Sequence, residues 1–141
     1  MKRFLPLVIT LALGQALQAQ KMRDVFAAMP DSVLGIMTKN NRLDCIDFIE
    51  NTMAAKVHNR FDGDTELKAL TVDYLELQLT KNCRVEMKLL PSEDTLYYIC
   101  VARTYSGPMA ETKVALYTPD WETLPEEKWM SRPVYADFWE T

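Results

Sequence analysis

Residues 71–90 read TVDYLELQLTKNCRVEMKLL, and the spacing of their apolar side chains decides what the chain can build. Leu75, Leu77 and Leu79 alternate with Tyr74, Glu76 and Gln78. After Thr80-Lys81-Asn82, Cys83, Val85, Met87 and Leu89 alternate with Arg84, Glu86 and Lys88. A period of two puts each apolar set on one face of an extended strand and leaves the other face wet. Pairing Leu79 with Cys83 closes a three-residue hairpin with an Asn in the left-handed position. That register lays both apolar sets on one side, as a shared core requires.

Working outward, TLYYICVARTY (95–105) is apolar on both faces, which predicts a central strand or one with a covered second face. ETKVALYT (111–118) reads as another strand after the Ser106-Gly107-Pro108 break, and ELKALT (66–71) as one more after Asp62-Gly63-Asp64. Residues 55–61 carry a weaker extended signal. Connections this short make neighbours antiparallel, because a parallel crossover needs a dozen or more residues.

Upstream the period lengthens. MRDVFAAM is a short amphipathic helix that Pro30 ends, and PDSVLGIM can restart one from Asp31 or Ser32. The longest helix is expected over Arg42–Ala54, with Asn41 as N-cap and Asp44 completing a capping-box pattern. Leu43, Ile46, Ile49 and Met53 then share one face toward the sheet, with Cys45 at its margin. Asp44, Asp47 and Glu50 step round the solvent flank, so this acidic stretch has no convergent ligand set. Helices first, then a run of adjacent strands, is an α+β pattern. The expectation is N-terminal helices packed on one face of an antiparallel meander sheet of four to five strands.

The first nineteen residues read as a secretory signal peptide: Lys2 and Arg3, an apolar run Phe4–Leu13, then small and polar residues to Ala19. The run is about half of the ~20 residues a spanning helix needs. This predicts an exported protein, periplasmic or secreted, with residues 20–141 as a single domain and no transmembrane segment in the mature chain. Sixteen basic side chains less Lys2 and Arg3 leave fourteen against twenty acidic ones, a net charge of −6. That balance argues against nucleic acid as a partner. Cys45, Cys83 and Cys100 read as small buried hydrophobes, with a Cys83–Cys100 bridge as the alternative. The chain stops two residues after Trp139 without a polar trailer, an ending that suggests truncation.

No motif for chemistry stands out. His58 is the single histidine, which excludes a multi-histidine zinc site. DGDTE (62–66) puts its Gly second, out of place for a calcium loop, and reads as a turn. Four glycines and no G-x-x-x-x-G-K-[ST] leave no phosphate cradle. No catalytic, cofactor or metal residue is therefore assigned, and no cofactor is expected.

Taken together, MRDVFAAMPDSVLGIMTKNNRLDCIDFIEN, LTVDYLELQLT, RVEMKLLP and LYTPDW resemble a family of Bacteroidetes exported proteins, domain-of-unknown-function family 3256, from about Met22 to Trp121. The resemblance implies a small exported protein with no assigned activity and no catalytic residues to carry over. Members run longer than this chain, which departs from them by ending just after Trp139. The expected function is a non-catalytic binding module for a protein or glycan of the cell envelope. Its candidate partner-binding residues are Tyr97, Tyr105, Tyr117, Trp121 and Trp129, side chains that combine apolar area with a polar handle. The alternative is a small periplasmic hydrolase using carboxylates or His58.

Overall fold

The computed structural model describes residues 21–131; the signal-peptide reading of 1–19 and Trp139 lie outside them. Six strands form one antiparallel sheet: β1 (Ala55–His58), β2 (Asp64–Leu70), β3 (Tyr74–Thr80), β4 (Cys83–Pro91), β5 (Tyr97–Tyr105) and β6 (Glu111–Tyr117). Their spatial order is their chain order. The expected four to five strands become six because Ala55–His58 pairs fully with β2. Ala55 lies opposite Leu67 and Val57 opposite Thr65, all four buried.

The alternation of residues 71–90 sets the centre of the sheet as expected. Leu75 faces Met87 and Leu77 faces Val85, all at or near zero exposure. The predicted register holds to Gln78 opposite Arg84, then shifts so that Thr80, rather than Leu79, meets Cys83. The loop is thus Lys81-Asn82, two residues instead of three, with the extra residue absorbed in the strand beside it. Residues 95–105 supply β5, whose ladder partners are β4 on one side and β6 on the other.

The helical layer departs further. Helices α1 (Lys21–Ala28) and α2 (Lys39–Glu50) form, while residues 30–37 make turns and no helix. The N-cap of α2 is Thr38, not Asn41. Thr38 Oγ1 accepts the Asn41 amide at 3.1 Å and Asn41 Oδ1 accepts the Thr38 amide at 3.0 Å, a reciprocal pair that starts the helix three residues early. The helix ends at Asn51, and Thr52 adopts φ 56°, so it does not reach Ala54. Its inward face is rotated from the expected one. Leu43 is 42% exposed and Met53 57%, whereas Arg42, Cys45 and Ile46 are buried. The helix packs against β1 and β2 at one side of the sheet rather than across its leucine centre.

Arg42 explains the rotation. At 1% exposure it is a buried cation, and its guanidinium donates to the Met29 carbonyl and, at 2.8 Å, to Asp31 Oδ1. A buried charge needs such partners. Two further arginines hold the same connector. Arg60 donates to the Gly35 carbonyl at 3.4 Å and to Asp31 Oδ2 at 3.3 Å, and Arg103 of β5 donates to the Val33 carbonyl. Beneath them Val33, Leu34, Ile36 and Met37 join Met22, Phe26 and the sheet leucines in one core.

A Cys83–Cys100 bridge does not fit this sheet. Cys83 sits opposite Tyr105 and Cys100 opposite Lys88, five positions along β4 and on opposite faces. At about 3.3 Å per residue that is far beyond the ~7 Å limit between bridged Cα atoms. All three cysteines are free thiols.

Two outcomes follow. Thiol titration of the unreduced, denatured protein should count three groups; a count of one would mean a bridge and a different strand register. In the native protein Cys45 should be the slow one, since burial pushes its thiol up to about 11. Arg42→Ala should lower unfolding free energy by about 1.5–3 kcal/mol, the range for hydrogen bonds to a charged group, as read from urea denaturation. Arg42→Met, which refills the volume, should lose less.

Candidate functional site

The β1–β2, β3–β4 and β5–β6 turns all lie at one end of the sheet, because every connection is between antiparallel neighbours. The residues 30–37 connector approaches that end, and three depressions adjoin around it, two of them bordered by connector residues. One of about 500 Å³ is bordered by Lys56, Asn59, Phe61, Asp64, Gln78 and Lys81. The next, about 430 Å³, runs between Leu34 and Ile36 on the connector and Phe61, Leu79, Arg103 and Tyr105. A third, about 300 Å³, continues along β5 and β6 past Arg103, Tyr105, Lys113 and Tyr117. Phe61 is common to the first two and Tyr105 to the last two, so these rings stand at the junctions of one groove.

Phe61 is 75% exposed, an unusual place for a phenyl ring, and a buried asparagine puts it there. Asn59 Oδ1 accepts the amides of Phe61 at 2.9 Å and Gly63 at 3.2 Å, while its own amide donates to the Gly63 carbonyl at 2.8 Å. Its Nδ2 donates to Thr65 Oγ1 at 3.1 Å, and Thr65 in turn donates to the Leu79 carbonyl at 2.8 Å. Asp62, at φ 63°, completes the turn; Asn and Asp tolerate such geometry and bond their own backbone. The tip is therefore wired through two buried polar side chains to β3.

Tyr105 is 40% exposed at the end of β5, with Lys113 Nζ 6.0 Å from its ring centroid. Arg103 lies on the core-facing side of β5, opposite Val85 and Lys113, and ties the groove wall to the floor through Val33. The groove is thus apolar at its centre, with cations at intervals and amides and carboxylates at the Asn59 end, a mix suited to binding.

Of the five sequence candidates, Tyr105 and Tyr117 line the groove. Tyr117 stacks at a tilt on Trp121, ring centroids 5.3 Å apart, and both pack against the core, as does Tyr97. Trp129 lies apart on the tail, its indole N–H donating to the Leu124 carbonyl at 3.4 Å. Phe61 and Arg103 were not among the candidates. An aromatic at the tip of a polar Asn-to-Gly turn, and a cation on the buried parity of a strand, were their signals in the sequence.

His58 stands beside the groove. Its Nε2 is 3.0 Å from Asp62 Oδ1 and its Nδ1 3.6 Å from Asp64 Oδ1, with all three side chains exposed. Among the described residues no group of three or more His, Cys, Asp or Glu is placed to hold a metal ion, and no helix is long and apolar enough to cross a membrane.

The comparisons with known proteins agree with this picture at the level of fold. The family model described as "Protein of unknown function (DUF3256)" matches residues 14–141. The solved structure of a domain of an uncharacterized protein from Porphyromonas gingivalis W83 is similar, with a TM-score of 0.67 and 26% identity over 83% of this chain. The match covers 60% of that chain, so this sequence spans less than two thirds of it. No curated protein matches.

Donating to the Asp62 carboxylate and then to that of Asp64 raises the His58 pKa above its ordinary 6.5. A raised folded value means this contribution to stability is complete below pH ~6.5 and is lost as pH rises through the folded pKa. An NMR titration should show His58 above 6.5 and falling toward it in Asp62→Asn. A native value at or below 6.5 would refute the turn geometry. Asn59→Ala should cost about 1–3 kcal/mol, the penalty for stranding buried partners, and should speed amide exchange at Phe61 and Gly63.

Proposed function

This chain belongs to the DUF3256 family, a membership that carries no activity with it, and we propose that it is an exported, non-catalytic module. In this reading it holds a protein or glycan partner of the cell envelope in the groove at the turn end of the sheet. The observation that carries the proposal is the display of Phe61 and Tyr105 at the junctions of three continuous depressions, each ring on a fixed support. Exposed aromatics are costly to leave in water and are the side chains that most often anchor recognition. Export is supported by the charged, apolar and small-residue order of residues 1–19. A Bacteroidetes setting is supported by the likeness to the P. gingivalis domain.

A hydrolase built on His58 draws less support. The imidazole and both carboxylates beside it are solvated, so nothing there would exclude water from a reacting group.

The test is a glycan array together with a pull-down from envelope extracts, using the purified protein and its variants. Phe61→Ala and Tyr105→Ala should each weaken the captured partner by about 2 kcal/mol, ~30-fold, the scale of an aromatic anchor. Trp129→Ala should leave it unchanged. Equal binding by all three variants would sink the groove as the binding surface.

A further inference from the structure

We propose that two copies of this chain pair through the outer edge of β6, in one register selected by Glu111 and Lys113. The free edge is a matter of geometry. The tail begins to add a seventh strand there: Tyr117 bridges Thr123, the Leu124 amide donates to the Leu116 carbonyl at 2.9 Å, and the Thr118 amide donates to the Glu122 carbonyl at 2.9 Å. These bonds show that even-numbered residues of β6 point their backbone groups outward. The pairing stops at Pro125, where the chain turns into the 3-10 segment Glu126–Lys128. Thr112 and Val114 are left along an exposed stretch, Glu111–Val114, with the next strand position unfilled among the described residues.

A second copy can fill that position only with even residues opposite even ones, since the ladder exchanges bonds between outward-pointing pairs. Few two-fold registers satisfy this. Centring on Glu111 or on Lys113 sets like charges face to face, which is unfavourable on one face of a sheet. Centring on Val114 places Thr112 against Leu116, whose carbonyl the tail already holds. Centring on Thr112 pairs Glu111 with Lys113 twice, and Ala110 with Val114 on either side. That register alone is complementary in charge. A single lysine on an edge guards it against any strand; a Glu and a Lys two apart on the same face admit one arrangement and reject its neighbours.

Such a dimer would join two six-stranded sheets, with both helical layers on the same side and the β5–β6 depressions of the two copies meeting across the axis. Lys113 also borders the third depression, so the dimer is tested on the protein alone, with no groove partner present. The test is sedimentation of the purified protein across a concentration series, with Glu111→Lys, Lys113→Glu and the double exchange. The expected result is a concentration-dependent dimer, weakened at least tenfold by either single change and restored by the double one, with slowed amide exchange at Thr112 and Val114. Circular dichroism checks that each variant is folded. A monomer at every concentration would overturn the proposal. So would a dimer indifferent to the charge exchange, or protection of these amides only when a foreign peptide is added.

Discussion

Backbone carbonyls that leave water must find donors, and in this fold the decisive donors are the Arg42 and Arg103 side chains, with Arg60 adding a bond at exposed Gly35. Met29, Val33 and Gly35 lie in or beside a connector with no regular structure, and Arg42, Arg103 and Arg60 take their carbonyls from a helix, a central strand and a turn. Asp31 joins two of these cations, which hold its carboxyl below the ordinary value, Arg42 foremost. The stabilisation this gives is present above the carboxylate range and lost as acid protonates Asp31. Val33, Leu34, Ile36 and Met37 bury residues 30–37 against the sheet, and these clamps fix the path of the backbone that forms one wall of the groove.

The groove itself follows from a mismatch of widths. Six strands at about 4.8 Å spacing span roughly 24 Å from first to last, whereas two helices about 10 Å across cover somewhat less. Helix α2 is displaced over β1 and β2, and the connector covers the middle. The face of β5 and β6 beyond Arg103 is left open. Tyr105, Lys113 and Tyr117 stand on that uncovered strip.

What could be read from the sequence was what depends on near neighbours. Alternation in residues 71–90 placed β3 and β4 and their register to within one bulge, and the short connections made the sheet antiparallel. Ala55–His58 was faint because two inward residues are a thin pattern for a strand. The restart of a helix at Pro30 was reasonable by period and still wrong, because the groups that capture its carbonyls lie 13, 25 and 70 residues away. Arg42 is hidden in a similar way: no periodicity rule puts a cation inward, so the apolar period points to Leu43 instead. Tyr105 was legible as an aromatic near a strand end. Phe61 is set by the Asn59 side chain two residues before it and by the buried Asn59–Thr65 link across the turn, a local signal that an aromatic in a polar loop does not by itself announce.

The meander has one more consequence, in the order of assembly. Each strand binds the one before it, so the sheet can zip hairpin by hairpin with small loop-closure cost. The helical layer is different: its first helix is tied to the sheet by the Met22 amide on the Val72 carbonyl, and its connector by Arg103, seventy residues past Val33. The topology therefore completes the helical layer, which precedes the sheet in the chain, only once β5 is in place. Until β5 arrives, Val33, Leu34, Ile36 and Met37 have only part of their core to enter. The N-terminal helices thus stay unlocked until most of the sheet has been made.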